Sequence, residues 1–201
     1  MVLIIDYKIG NLLSVQNMLK YIGVTSKISS SIEDIKNADK LILPGVGHFK
    51  TGMENLAKSG LIDVLHEEVL IKKKNILGIC LGMQLMTKHS EEGDCDGLGW
   101  IDATTKKFQL SEPLKVPHMG WNNVNYKKDT ALNKNISKEP RHYFVHSYFV
   151  DCNNKEDVLA TTLYGNEFVA AFQHENIYGV QFHPEKSHKY GMELLRNFNQ
   201  L

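Results

Sequence analysis

The sequence predicts an α/β fold, a single domain over 1–201 with a central, mostly parallel sheet flanked by helices and additional antiparallel strands in the second half. Three observations carry that expectation. Apolar, β-branched runs at Val2–Ile5, Lys40–Leu43 and Ile76-Leu77 read as strands buried on both faces. Segments of helical spacing lie between them, which implies βαβ crossovers. After about residue 95 the texture changes to short β-like runs between turn residues.

In chain order, Val2–Ile5 ends at Asp6 and suits a central parallel strand. Leu12, Val15, Leu19 and Ile22 then form one helix face, and Gly23 supplies a stop signal. A weaker strand over Val24–Ile28 and a short helix over Ser31–Asn37 precede the strand Lys40–Leu43, which Pro44-Gly45-Val46-Gly47 ends. Leu61, Leu65 and Val69 mark a helix whose basic end, Lys72-Lys73-Lys74, suits the negative helix terminus. Beyond residue 95 the β-like segments are Trp121–Tyr126, Tyr143–Val150, Val158–Thr162, Phe168–Gln173 and Ile177–Phe182, with Asn153-Asn154 and Glu175-Asn176 as candidate hairpin turns. Met192, Leu195 and Phe198 place a last helix over Tyr190–Gln200.

Composition narrows the function classes. Lysine plus arginine equals aspartate plus glutamate at 23 each, so no global field recruits nucleic acid or an anionic membrane. Three cysteines at 80, 95 and 152 are odd in number and far apart, which fits neither a disulfide framework nor a paired-ligand zinc site. With no basic n-region before the first apolar run and no apolar stretch of membrane-spanning length, a soluble cytoplasmic protein is expected.

The chemistry centres on Gly78-Ile79-Cys80-Leu81-Gly82-Met83-Gln84. A strand, a very tight turn and a helix start resemble the G-x-S-x-G nucleophile elbow, with sulfur in place of oxygen. Unpaired amides at a helix N-terminus favour a thiolate. A free cysteine is otherwise usually a small core hydrophobe, so the motif needs partners. The segment Gly179–Ser187 supplies them, because a buried strand there runs into His183-Pro184-Glu185. Residues two apart on extended backbone face one side, and Pro184 keeps His183 extended. A Cys80–His183–Glu185 triad follows, in which a base serves the nucleophile and a carboxylate orients the base. The elbow also offers the Leu81 N–H to an oxyanion.

Together these segments resemble the class I (triad) glutamine amidotransferases. Within them the chain is similar to the glutaminase-subunit family of imidazole glycerol phosphate synthase, through Asp6-Tyr7 with Gly10-Asn11, Pro44–Phe49, the elbow, Pro117–Asn122, Phe144–Tyr148 and Gly179–Ser187. The resemblance implies that Cys80 attacks the amide of L-glutamine, His183 carries the proton and Glu185 orients His183, with no metal or cofactor. It implies a second oxyanion donor from the Val46-Gly47 stretch after a peptide flip, although Pro44–Gly47 is also an ordinary strand-ending turn. It assigns Gln84, Glu92, Ser147 and Tyr148 to the substrate, with Glu91 adjacent to Glu92. It further implies a (β/α)8-barrel cyclase as heterodimer partner, which receives the ammonia and is faced by Asn11, His118, Met119, Trp121, Asn122, Tyr143 and Lys186. Trp121 and Tyr143 could equally be sheet core, and Asn11 an N-cap.

Two stretches depart from the family pattern. Lys8-Ile9-Gly10 replaces a small Gly-x-Gly and places a charge near the expected partner face, and Trp100 with Asp102–Thr105 is atypical after Gly97-Leu98-Gly99. They leave the triad intact and bear on the ammonia acceptor. The alternatives are a paralogous glutaminase serving surface-sugar biosynthesis, a stand-alone Cys–His peptidase or γ-glutamyl hydrolase, and a non-enzymatic regulatory module.

Overall fold

In the computed structural model, which describes residues 1–110 and 114–201, the first half alternates strand and helix. β1 (Val2–Ile5), α1 (Leu12–Tyr21), β2 (Ser26–Ser29), α2 (Ile32–Asn37), β3 (Lys40–Gly45), α3 (Phe49–Lys58) and α4 (Ile62–His66) follow in order. A π turn over Glu67–Ile71 prolongs α4, and then come β4 (Asn75–Cys80) and α5 (Leu81–Leu85). Strands β2, β1, β3 and β4 lie side by side in that order, all parallel, as crossover helices demand. Alternate strand residues enter opposite layers. Leu3, Ile5, Leu41 and Leu43 pack on one face, and Val2, Ile4, Ile42 and Leu77 on the other, all at most 1% exposed.

The second half widens this sheet. It adds β5 (Thr87–Ser90), β6 (Cys95–Asp96), β7 (Ile101–Lys107), β8 (His118–Asn123), β9 (Asn125–Tyr126), β10 (Arg141–His146), β11 (Tyr148–Cys152), β12 (Val158–Tyr164), β13 (Asn166–His174) and β14 (Ile177–Val180). The last helix, α6 (His188–Gln200), packs Leu194, Leu195 and Phe198 against the sheet. Among the described residues twelve strands join one sheet, ordered β2-β1-β3-β4-β14-β13-β11-β7-β5-β6, with β12 on β13 and β9 on β12. Strand β14 is parallel to β4, while β13 runs antiparallel to β14. β8 and β10 form a separate antiparallel ribbon.

Three differences from the sequence expectation have physical reasons. Helix α3 occupies a stretch the apolar pattern leaves unmarked, because its packing face is short: Phe49, Gly52 and Leu56. The run Tyr143–Val150 is not one strand but two, parting at Ser147, with β10 in the ribbon and β11 in the main sheet. Asn153-Asn154 closes no hairpin, since β11 and β12 both pair with β13; Glu175-Asn176 does close one, with His174 opposite Ile177.

The insertion of β14 beside β4 places the site. Gly45 is level with Cys80 across β3 and β4, and Val180 is level with Ile79 across β14 and β4. The segments leaving β3, β4 and β14 therefore emerge together at the carboxyl ends of parallel strands, where open α/β sheets bind ligands. Among the described residues no helix is long and apolar enough to cross a membrane.

Candidate active site

Cys80 sits at φ 53° and ψ −110°, a conformation that costs energy for a residue with a Cβ. The surrounding backbone leaves it little choice. A Cβ on Gly78 would lie 2.7 Å from the Met83 nitrogen, and one on Gly82 would lie 1.8 Å from the Leu43 carbonyl oxygen. The elbow is thus wedged against β3, and the strained turn projects Cys80 from the sheet. The helix behind it is only five residues long, so the local field comes from first-turn amides rather than a long helix dipole.

His183 arrives from β14. Its Nδ1 is 2.7 Å from Glu185 Oε1, and both side chains are buried. The sequence argument places the two on extended backbone, but Pro184–Lys186 is a 3-10 turn that curls Glu185 back onto the ring. Ser187 Oγ donates to the His183 carbonyl at 2.6 Å and accepts the Tyr143 N–H at 3.0 Å, which fixes this turn to β10. Burial works against charge on His183, yet Cys80 and Glu185 outweigh it and raise its pKa from 6.5 to about 10. That direction favours the protonated ring. Its Nε2 is buried and, among the described residues, has no hydrogen-bond partner of ordinary geometry.

Cys80 and His183 border a cavity of about 310 Å³, a size that suits a small ligand. Val46, Gly47, Leu81, Gln84, Glu92, Ser147 and Tyr148 border the same cavity. Residues up to 137 positions apart in sequence, Val46 and His183, thus share one space. Gly47 has φ +111°, a conformation side-chain-bearing residues rarely adopt, so the loop after β3 depends on glycine there. Between the two adjacent acids the geometry chooses. Glu92 borders the cavity and accepts the Phe49 N–H at 2.8 Å, whereas Glu91 accepts the Lys107 N–H at 2.7 Å.

Two polar residues were not visible as site residues in the sequence. Gln181 is fully buried, takes a hydrogen bond from Gln84 Nε2 at 2.9 Å and places its own Nε2 at 3.7 Å from Cys80 Sγ. Tyr7 donates to the Pro44 carbonyl at 2.7 Å, which pins the end of β3 just before Val46. A buried glutamine in an apolar run, Val180-Gln181-Phe182, is the one signal that could have marked Gln181.

The residues expected at a partner surface divide. Met119 and Trp121 are exposed at 61% and 40%, and Val46 beside the cavity at 43%. Asn11 and Lys186 are exposed, and Tyr143 and Asn122 half-buried. Lys186 Nζ stands 5.7 Å from the Tyr143 ring centroid, and Trp121 packs edge-on to Tyr143 at 6.4 Å. Asn11 precedes α1 without a side-chain cap hydrogen bond, so the capping role does not apply. His118 is the correction. It is 3% exposed because Phe144 and Tyr164 stack on its ring at 4.9 and 4.0 Å, so it offers no surface to a partner.

The chain belongs to the glutamine amidotransferase class-I family, whose model matches residues 3–200. Within that family it is 50% identical over 201 residues to imidazole glycerol phosphate synthase subunit HisH 2 of Pseudomonas aeruginosa, covering all of both chains. It is 54% identical over 198 residues to the subunit of the same name from Methanococcus maripaludis, covering 98% of each. Among solved structures, a glutamine amidotransferase superposes with a TM-score of 0.78 at 17% identity, covering 100% of this chain and 98% of that one. PurLQS from Thermotoga maritima gives 0.77 at 16%, covering 99% and 97%. At such identities the structures speak for the fold alone.

Proposed function

We propose that this protein is the glutaminase subunit of an imidazole glycerol phosphate synthase. The observation that carries the reading is the meeting of Cys80, the His183–Glu185 pair and the Glu92 carboxylate around one cavity. Cys80 sulfur adds to the side-chain amide carbon of L-glutamine. The oxyanion that forms is held by the Leu81 N–H and, after rotation of the Val46-Gly47 peptide, by a second amide from that loop. The C–N bond then breaks, and the His183 imidazolium gives its proton to the departing nitrogen, which leaves as ammonia. A γ-glutamyl thioester remains. Water attacks it, neutral His183 takes a proton from that water, and the thioester opens to glutamate and Cys80. Glu185 holds the ring throughout and supports its charge. Glu92, with one oxygen tied to the Phe49 amide, keeps the other for the substrate α-ammonium.

Ammonia released into water becomes ammonium and loses its nucleophilicity, so it must pass directly to an acceptor. The exposed Val46 on the cavity wall, together with exposed Met119 and Trp121 on β8, whose Met119 pairs with the cavity-lining Val145, supports a second protein over that opening. That partner is a (β/α)8-barrel cyclase, the pair forms a cytoplasmic heterodimer, and histidine biosynthesis is the pathway it serves. Cys80→Ser tests the reading in the reconstituted complex. Glutamine-driven synthesis falls to background while synthesis from added ammonium salt persists; retained glutamine turnover would remove Cys80 from the role of nucleophile.

A further inference from the structure

His118 is one half of a buried histidine pair. Its Nδ1 lies 3.0 Å from His146 Nε2, and the two rings sit among Phe108, Phe144 and Phe168, where burial pushes both pKa values down, to about 4 for His118 and about 3 for His146. Both are therefore neutral, and their protons can be assigned from neighbours. His146 Nδ1 lies 2.8 Å from the Tyr148 carbonyl, which can only accept, so His146 carries its proton on Nδ1 and its Nε2 accepts. His118 must then donate from Nδ1 and accept at Nε2. Asn122 supplies that donor at 3.2 Å, with its amide orientation fixed because Oδ1 accepts the Asn123 N–H and Nδ2 also donates to the Leu163 carbonyl. One self-consistent direction runs from Asn122 through both rings to Tyr148.

A second branch meets the first at the same carbonyl. Gln84 Nε2 donates to the Tyr148 oxygen at 3.0 Å and to Gln181 Oε1 at 2.9 Å, so both Gln84 amide protons are used. Its Oε1 alone remains for the cavity, as an acceptor. Were the amide to turn over, donors would face the substrate and two buried acceptors would lose their partners. Two imidazoles set edge to face, 73° apart, are a costly way to fill an aromatic core that leucine or phenylalanine could fill without polar atoms to satisfy. Their specific product is a donor aimed at the Tyr148 carbonyl across the break at Ser147.

We propose that His146 is a positioning residue for glutamine: it clamps the Tyr148 carbonyl that orients Gln84, and His118 with Asn122 extends the clamp to the β8 strand that bears the exposed Met119 and Trp121. The inference rests on the glutaminase reading for its substrate, and on the geometry together with the neutrality of both rings for its hydrogen bonds. Partner docking on β8 thereby has a mechanical route to the substrate wall that bypasses the triad.

Two measurements test it. Nitrogen-15 spectra of the histidine rings in the free protein show His118 and His146 neutral between about pH 6 and 8, each with its proton on Nδ1. A proton on Nε2 of His146, or a charged ring, overturns the clamp whatever the enzyme does. In the complex with the barrel cyclase, His146→Phe raises KM for glutamine by about fivefold to tenfold, the loss of one buried hydrogen bond, with a smaller fall in kcat. His146→Asn keeps a donor near the Nδ1 position and restores most of the lost KM, and synthesis from ammonium salt is unchanged in both variants. A His146→Phe KM within twofold of the parent, or an Asn variant no better than Phe, overturns the positioning role. If the unmodified complex hydrolyses no glutamine, the substrate assignment fails, while the ring spectra still decide the hydrogen-bond chain.

Discussion

Gly82→Ala puts the wedge of α5 against β3 to a quantitative test. The added Cβ would stand 1.8 Å from the Leu43 carbonyl oxygen and 2.8 Å from its carbon. Ordinary C···O contact is about 3.3 Å, so α5 and β3 must separate by roughly 1.5 Å. Neither side is a flexible side chain. β3 is bonded to β1 and β4, and the α5 backbone has no room to retreat towards β4, where a Cβ on Gly78 would already stand 2.7 Å from the Met83 nitrogen. Overpacking against backbone on both sides belongs at the upper end of the usual range, about 3 kcal/mol. For a protein of this size that lowers Tm by about 6–12 °C. Because Leu43 is followed directly by the Pro44–Gly47 loop, the displacement reaches the cavity wall, and a 1 Å misplacement there costs about 100-fold in glutamine turnover. Gly60→Ala is the control: its site is open but has φ +69°, so the added Cβ introduces strain that costs about 1 kcal/mol of stability and no activity. Thermal melts followed by near-ultraviolet circular dichroism, with turnover measured in the complex, read both effects. A Gly82→Ala protein melting within about 2 °C of the parent, with turnover within threefold, would refute the wedge.

Elsewhere the structure makes two further predictions. The Glu68 side chain is 2% exposed and lies 2.7 Å from Lys72 Nζ and 2.8 Å from Lys74 Nζ. Burial pushes its pKa up, but the two lysines outweigh that and hold it below 4.5. A depressed carboxylate stabilises fully above its unfolded pKa, and the contribution disappears as pH falls through the folded value. Glu68→Gln therefore costs about 2 kcal/mol at neutral pH and close to nothing once Glu68 itself is protonated; equal losses in urea titrations at neutral and strongly acid pH would dismiss the ion pairs as the cause. Trp121→Ala leaves the melting curve near the parent's, since the ring is 40% exposed, but weakens half-saturation of glutaminase activation by the proposed barrel partner about tenfold or more. An unaltered half-saturation would place the interface on another face.

The parts of this molecule legible in the sequence are those set by local periodicity and steric necessity. The β1–β4 half alternates apolar runs and amphipathic turns, so its crossovers follow from spacing, and Gly78 and Gly82 announce a turn that only glycine can make beside Cys80. The second half is short strands whose partners lie far away in the chain, and pairing of that kind carries no local signature. The continuous run Tyr143–Val150 illustrates the limit. Its β-propensity is uniform, yet it divides at Ser147 because Tyr143 through His146 pair with β8 while Tyr148 through Cys152 pair with β7.

The same limit explains why the proposed triad has a signature in the sequence and the groups around it have none. Glu185 lies two residues from His183, so proximity was guaranteed by the chain even though a 3-10 turn, not an extended strand, delivers it. Gln84 and Gln181 are 97 residues apart, and His118 and His146 are 28 apart; their contacts exist only because β14 inserts beside β4 and β8 pairs with β10. The sequence reading starts the β-like segment at Trp121, but the structure makes His118 the first residue of β8, and alternation along β8 puts it on the opposite face from the exposed Met119 and Trp121. Period two thus turns a neighbour of the proposed partner surface into a buried group. From that buried side it can touch the His146–Tyr148 junction, which no residue on the exposed face of β8 could reach.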